Sequence, residues 1–388
     1  MSRSVAIVNG TVIAESALLH DASVLIESGK ITRISQSTVP PGVRQVDAEG
    51  NFISPGFIDL HIHGFGGYDA TCCNVDSLVG MSRSLVAHGT TSFLPTLVSM
   101  PIDRTKAFLS SVRDSMPKSS GARILGANLE GPFLNPAKRG VHREEHLAAP
   151  SLESLNNMIG GYEGIIRILT LAPELPGGLQ LCRQIVELGM VAAIGHTNAT
   201  YAEANAGIKA GITHATHTFN GMRNIESREM GAAGAVLLSD DVKAEIIADG
   251  LHVSPETTKL MVKTKGPRSL ILVTDAVMPT GTSITRFDLA GVRAYVEKGG
   301  SFTEDGKLCG STLTLERAVK NLMKWNNLSL PDAVRMASLN PAEQMGIASR
   351  TGSLVEGKDA DVVILDKELN VLTTFVNGEQ VYPTRSES

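Results

Sequence analysis

His61 and His63 stand two residues apart at the end of an apolar run, in the stretch ISPGFIDLHIHGFGG (53–67). Side chains alternate along a strand, so imidazoles spaced this way share a face and suit one metal ion. The pair alone is weak ground, because a partly buried strand end reads the same way. Further along, Glu130 lies in GANLEGPF, His196 in AAIGHTNAT, His217 in THATHTFNGM, His252 in IIADGLHV and Asp275 in LVTDAV. Imidazoles with carboxylates and no thiolate make a ligand set for Zn2+ or another divalent first-row metal, in a catalytic rather than a structural site. Glu130 can bridge two ions if His61 and His63 hold one and His196 and His217 the other. Asp275 is then the natural general base, taking a proton from water beside the metal and returning it to a leaving group.

Such residues, spread over more than two hundred positions, need a frame that gathers distant strand ends. From Ser54 the chain alternates apolar strand, polar loop and amphipathic helix. Strands are expected at Gly56–His61, Thr91–Val98, Arg123–Leu129, Ile166–Ala172, Val191–Gly195, His214–Phe219, Lys243–Ala248 and Leu270–Thr274. Helical patterns occupy Asp76–His88, Asp103–Ser115, Ser151–Met158, Gly178–Leu188, Tyr201–Ala210 and Pro255–Thr264. Leu315, Val319, Leu322 and Met323 add an apolar stripe at helical spacing, read as core. Eight near-continuous apolar strands imply a parallel sheet covered on both faces, and eight close a (β/α)8 TIM-type barrel of this length. An open doubly wound sheet is the weaker alternative, because no G-x-G-x-x-G or P-loop follows the first strand.

In a barrel of this kind, catalytic groups lie at the C-terminal ends of the strands. Strand one ends in His61 and His63, strand three in Glu130, strand five in His196 and strand six in His217. Strand seven runs into His252, and strand eight ends in Asp275. A single His or Glu at a strand end is usually a hydrogen-bonded structural residue. Of ten histidines, however, five fall at these mouths, which scatter explains poorly.

Both termini read differently from the middle. Residues 4–53 form short strands with Asn9-Gly10 and Ser28-Gly29 at hairpin breaks, and the tail from Gly352 returns to that style. One small β-sandwich-like domain, 1–53 plus 350–388, is expected to flank a catalytic barrel spanning 54–349. A composition of 42% hydrophobic and 19% charged residues over 388 positions is that of a globular protein. A net charge of −5 argues against nucleic acid or an anionic membrane as the main partner. No apolar run reaches the roughly 18–20 residues that span a bilayer. The start lacks a signal-peptide core, and Cys72, Cys73, Cys182 and Cys309 make no disulfide framework. Cytoplasmic residence is the expectation.

The order of these motifs resembles the amidohydrolase superfamily: H-x-H after strand one, single His after strands five and six, Asp after strand eight, and the ending NPAEQMGI…GSLVEGKDADVVILD. More narrowly, PGFIDLHIHG, NLEGPF, GHTNAT, HTFNGM, IADGLH, LVTDA and LCGSTLT resemble the blocks of the N-acetylglucosamine-6-phosphate deacetylase family, from about residue 50 to 365. Glu130 stands where many other amidohydrolases carry a carboxylated lysine. The resemblance implies metal binding by Glu130, His196 and His217, a second ion at His61 and His63, and catalysis by Asp275. It implies that His142, in RGVHREEH, polarises an acetyl carbonyl. For the substrate it points to Val141, to Asn220, Gly221, Arg228 and His252 around a phosphate, and to Leu308, Cys309 and Gly310 over the sugar. It also implies a homodimer whose phosphate site is shared between subunits. Two residues depart from the family pattern: Gly221, where Ala is frequent, and Cys309, where Ser is common. Both bear on the choice of hexosamine, glucosamine or galactosamine, rather than on the chemistry. Cys309 is not expected to be a nucleophile, since nothing places a base beside it.

Overall fold

A computed structural model describes residues 4–36 and 39–383. Its centre is a parallel barrel. The strands are Phe57–Ile62, Thr90–Val98, Arg123–Ile124 continued by Ala127–Glu130, Ile166–Leu171, Val191–Ile194, His214–Ala215, Lys243–Ile246 and Leu270–Leu272. They pair in chain order from the first to the eighth. All nine residues of Thr90–Val98 are buried, as expected of a strand covered on one side by helices and on the other by the barrel interior.

The helices begin where polar side chains satisfy their first free N–H groups. Asn74, Ser151 and Ser254 accept from the backbone three residues on, and Thr200 with Glu203 forms a reciprocal capping box. The helix Gly231–Leu238, between strands six and seven, is absent from the sequence expectation. Its sequence, GAAGAVLL, is apolar on every face and almost wholly buried, so no amphipathic period announces it.

The barrel closes between strands eight and one by a seam rather than a full ladder. The Asp275 N–H donates to His61 O at 2.9 Å, and the His63 N–H donates to Ala276 O at 2.9 Å. Below these, the Asp59 carboxylate on strand one accepts from Thr274 Oγ1 at 2.6 Å and from the Thr274 N–H at 3.3 Å. Asp59 is fully buried, and burial pushes its carboxyl up to about 7 despite those bonds. The seam therefore joins the strand carrying His61 and His63 to the one carrying Asp275.

After strand eight the chain makes a four-stranded antiparallel sheet: Arg286–Leu289, Val292–Glu297, Gly300–Thr303 and Leu308–Ser311. Its last strand returns to the seam, where the Ser311 N–H donates to Asp275 O at 2.8 Å. The eight terminal strands form one further sheet. Val362–Leu365 pairs antiparallel with Phe52–Pro55, so the last stretch of chain lies against the first. Ile7, Val24, Ile53, Val362 and Phe375 share its apolar cluster. Arg123, at the start of barrel strand three, pairs with Asp359 and Asp361 beside this sheet. Among the described residues, no helix is long and apolar enough to cross a membrane.

Replacing Thr274 by Val keeps the shape but leaves buried Asp59 without its O–H donor. A loss of about 1–3 kcal/mol is expected, read as a lower urea midpoint at unchanged slope.

Candidate active site

The ends of five strands, the first, third, fifth, sixth and eighth, converge at the C-terminal mouth of the barrel. Three of the residues that end strands there, His196, His217 and Asp275, have positive φ (47°, 26° and 50°). Non-glycine residues rarely adopt that region, and strain of this sort persists only where the surroundings enforce it. Here it turns each side chain inward over the mouth.

Glu130 lies at the centre. Its Oε1 is 2.9 Å from His196 Nε2 and 2.7 Å from His217 Nε2, and those two nitrogens are 3.2 Å apart. Its Oε2 faces His63 Nε2 at 3.4 Å, His142 Nε2 at 3.5 Å and His61 Nε2 at 3.7 Å. His61 Nε2 and His63 Nε2 approach to 3.2 Å, and Asp275 Oδ1 lies 3.1 Å from the latter. Two groups have metal-ligand spacing, His61 with His63 and Asp275, and His61 with Glu130 and His217; a third joins Glu130, His142 and His196.

The outer nitrogens decide what the inner ones can do. His196 Nδ1 faces Lys138 O at 2.8 Å, His63 Nδ1 faces Thr96 O at 3.2 Å, and His217 Nδ1 faces Asn220 O at 3.2 Å. A carbonyl oxygen only accepts, so each Nδ1 carries the hydrogen and each neutral ring turns a bare lone pair toward the centre. Lone pairs converging with a carboxylate oxygen at 2.7–3.2 Å call for positive charge between them, a proton or a metal ion. The residues thus fit a divalent metal. The electrostatics agree: burial presses the His63 imidazole down, but the hydrogen bonds of Asp275 and Glu130 outweigh it and lift it to about 9. Positive charge is favoured here.

His142 is wired the opposite way. Its Nδ1 accepts the Ser99 N–H at 3.0 Å, so in the neutral ring the hydrogen sits on Nε2, on the cavity side. Burial pushes its imidazole down to about 4, which keeps the ring neutral near pH 7. Such a ring is a hydrogen-bond donor rather than a ligand, despite its spacing to Glu130 and His196. For Asp275, burial opposes ionisation, but hydrogen bonding to His63 outweighs it and holds the carboxyl below its ordinary value. It is available as a base.

A cavity of about 150 Å³ opens over this cluster. Val141, Asn220, Gly221, His252, Leu308, Cys309 and Gly310 line it with His63, Glu130, His142, His196, His217 and Asp275. Gly221 has φ +59°, and a Cβ there would lie 2.8 Å from His196 Nδ1, so glycine leaves that ring its place. His252 Nδ1 is 2.7 Å from Asp249 Oδ2, and its Nε2 is 3.6 Å from Asp275 Oδ2. Arg228 is exposed and does not line the cavity. Sequence reasoning missed Ser99, Asp249 and above all Glu245, a fully buried carboxylate on strand seven. Its one signal is a charge inside an otherwise apolar segment, AEIIA. Burial opposes the Glu245 charge, but His61 and His214 outweigh it and hold the carboxyl well below the usual range.

A (β/α)8 barrel with histidines and a carboxylate gathered for divalent metal at its C-terminal mouth defines a metal-dependent hydrolase of the amidohydrolase class. The sequence profile of the amidohydrolase family matches residues 52–381. An N-acetylglucosamine-6-phosphate deacetylase of Lysinibacillus sphaericus is 34% identical over 376 residues, covering 97% of each chain. An N-acetylgalactosamine-6-phosphate deacetylase of Escherichia coli is 33% identical over 368 residues, covering 95% of this chain and 96% of that one. The crystal structure of N-acetylglucosamine-6-phosphate deacetylase from Pasteurella multocida superposes with a TM-score of 0.93 at 35% identity, covering 97% of this chain and 99% of that one. The chain belongs to the amidohydrolase family and, within it, to the N-acetylglucosamine-6-phosphate deacetylase family.

Cys309 lines the cavity, but burial pushes its thiol up to about 11, and burial takes Cys182 to about 12. Iodoacetamide at pH 8 should therefore modify exposed Cys72, then Cys73, and leave Cys182 and Cys309 untouched with activity retained. Peptide mass mapping reads this directly. Inactivation that tracks alkylation of Cys309 would restore it as a nucleophile.

Proposed function

We propose that this chain hydrolyses the N-acetyl group of N-acetylglucosamine 6-phosphate, giving glucosamine 6-phosphate and acetate. One observation carries the reading: a single cavity holds an ionised carboxylate, Asp275, and a neutral imidazole with its Nε2–H inward, His142, both beside the Glu130 centre. That is a base and an oxyanion donor set for acyl transfer to water. Glu130, His196 and His217 would hold one divalent ion and His61 with His63 a second. Zn2+ suits these nitrogen and oxygen donors. When bound, the ion supplies Lewis-acid charge to the acetyl oxygen and makes a nearby water more acidic.

The protein groups then divide the work. Asp275 accepts the proton of the attacking water as its oxygen bonds to the acetyl carbon. The Nε2–H of His142 donates to the oxygen on which negative charge develops, a contact of a kind worth about 3–4 kcal/mol. Asp275 returns the proton to nitrogen as the C–N bond breaks, releasing acetate and the free amine. Leu308, Cys309, Gly310 and Val141 wall the sugar, and Asn220, Gly221 and His252 stand toward the phosphate. Arg228 is too exposed to serve the cavity of its own chain, which supports a phosphate site completed by a second copy in a homodimer. Free cysteines fit a reducing compartment such as the cytoplasm. N-acetylgalactosamine 6-phosphate is the second reading, favoured by the Escherichia coli relative.

Acetate release from both hexosamine 6-phosphates, with single metals added back to apo-protein, ranks the two substrates. Asp275→Asn should lower kcat by about 10²–10⁴ while substrate binding and fold persist; a near-normal kcat would sink the assignment. Arg228→Ala should impair the phosphorylated substrate far more than the unphosphorylated N-acetyl sugar. Equal losses on both would count against Arg228 as a phosphate ligand.

A further inference from the structure

Glu245 lies in the barrel interior on strand seven, fully buried, and belongs to no part of the chemistry above. Its Oε2 is 3.1 Å from His61 Nδ1 and accepts the backbone N–H of His217 at 2.8 Å. Its Oε1 is 2.8 Å from Nε2 of His214, another buried ring. One carboxylate oxygen therefore touches a residue of each proposed ion position. His63, His196 and His217 rest their Nδ1–H on main-chain carbonyls, whereas His61 rests its own on a full negative charge.

We infer that Glu245 is a positioning residue for the metal centre: it fixes His61 as a ligand and ties the His61–His63 half of the site to the strand end bearing His217. The inference rests on the two-ion reading of the site. A carboxylate accepting from Nδ1–H locks the tautomer, aims Nε2 at the ion and makes that nitrogen a stronger donor. It also adds a charge that offsets the ion's own in a water-poor interior. No main-chain carbonyl supplies that charge.

The substitution Glu245→Gln separates this role from plain packing. Its amide oxygen can accept from His61 and the His217 N–H, while its NH2 group can face His214. That ring can then shift its hydrogen to Nδ1, which has no hydrogen-bond partner. The fold is thus kept, and the charge is lost. Metal per chain, measured by mass spectrometry after graded chelator dialysis, should fall from two ions toward one. The affinity of the weaker ion should drop about 10–100-fold, as is usual when such outer partners are removed. Glu245→Ala should lose that ion outright. His214→Gln disturbs the same buried cluster without touching His61 and should keep both ions. Circular dichroism and melting curves check folding in each variant.

Two ions held by Glu245→Gln at unchanged affinity would overturn the inference, as would equal metal loss in the His214→Gln control. A wild-type chain that binds one ion also overturns it, yet leaves the deacetylase reading standing. A wild-type chain that binds none overturns both.

Discussion

The buried carboxylate of Glu130 is the constraint on which the rest of the site depends. An uncompensated carboxylate this deep would cost several kcal/mol, so its neighbours must supply positive charge or hydrogen bonds. Around it stand imidazoles of five residues, His61, His63, His142, His196 and His217, every one with Nε2 within 3.7 Å of a Glu130 oxygen. Neutral imidazoles alone do not balance that charge, because most of them present lone pairs. The arrangement makes physical sense only with a cation at its centre. Burial opposes the Glu130 charge, yet its carboxyl is held well below the ordinary range when the surrounding imidazoles carry positive charge, the part that a bound cation would take.

The barrel delivers this arrangement through its seam. Strands one and eight meet chiefly at the mouth, where the Asp275 N–H reaches His61 O and the Asp59 carboxylate clamps Thr274. Ser311 adds a second clamp, its N–H donating to Asp275 O and its hydroxyl to Thr274 O. The positive φ of Asp275 is therefore held from both sides. Strain at His196 is secured differently, by Nδ1 on Lys138 O and by the open space at Gly221. A residue held this tightly does not need to reorganise when charge develops beside it, which is the condition for electrostatic stabilisation to act.

Much of this was legible in the sequence because barrel strands are short apolar runs and the groups at their ends stand out. The eight strand positions and the clustering of His61, His63, Glu130, His196, His217 and Asp275 follow from that contrast. What escaped has physical reasons. Glu245 sits within a strand rather than at its end, so the rule that finds mouth residues passes over it. The strands between Arg286 and Ser311 are only four to six residues long, and glycines and polar residues fill the last two, so no apolar run marks them as the barrel strands are marked. The helix Gly231–Leu238 is apolar all round. Arg228 shows the converse: its motif was plain, and its side chain is exposed, away from the cavity lining of its own chain.

Tautomer, rather than position, divides labour among the histidines. His142 and His196 meet edge to face with ring centroids 4.5 Å apart, and both lie near the same carboxylate. By distance alone either would pass for a ligand. The difference lies in the atoms behind them: a carbonyl behind His196 sets its hydrogen on Nδ1, and the Ser99 N–H behind His142 drives its hydrogen to Nε2. One ring is thereby a lone-pair donor to a cation and the other a proton-bearing contact for an anion. A cavity of about 150 Å³ can thus present both signs of charge to a carbonyl group without moving a residue. The choice is set by the Lys138 carbonyl and the Ser99 N–H, main-chain groups that residue identity alone does not reveal, with the Ser99 hydroxyl also 3.0 Å from His142 Nδ1.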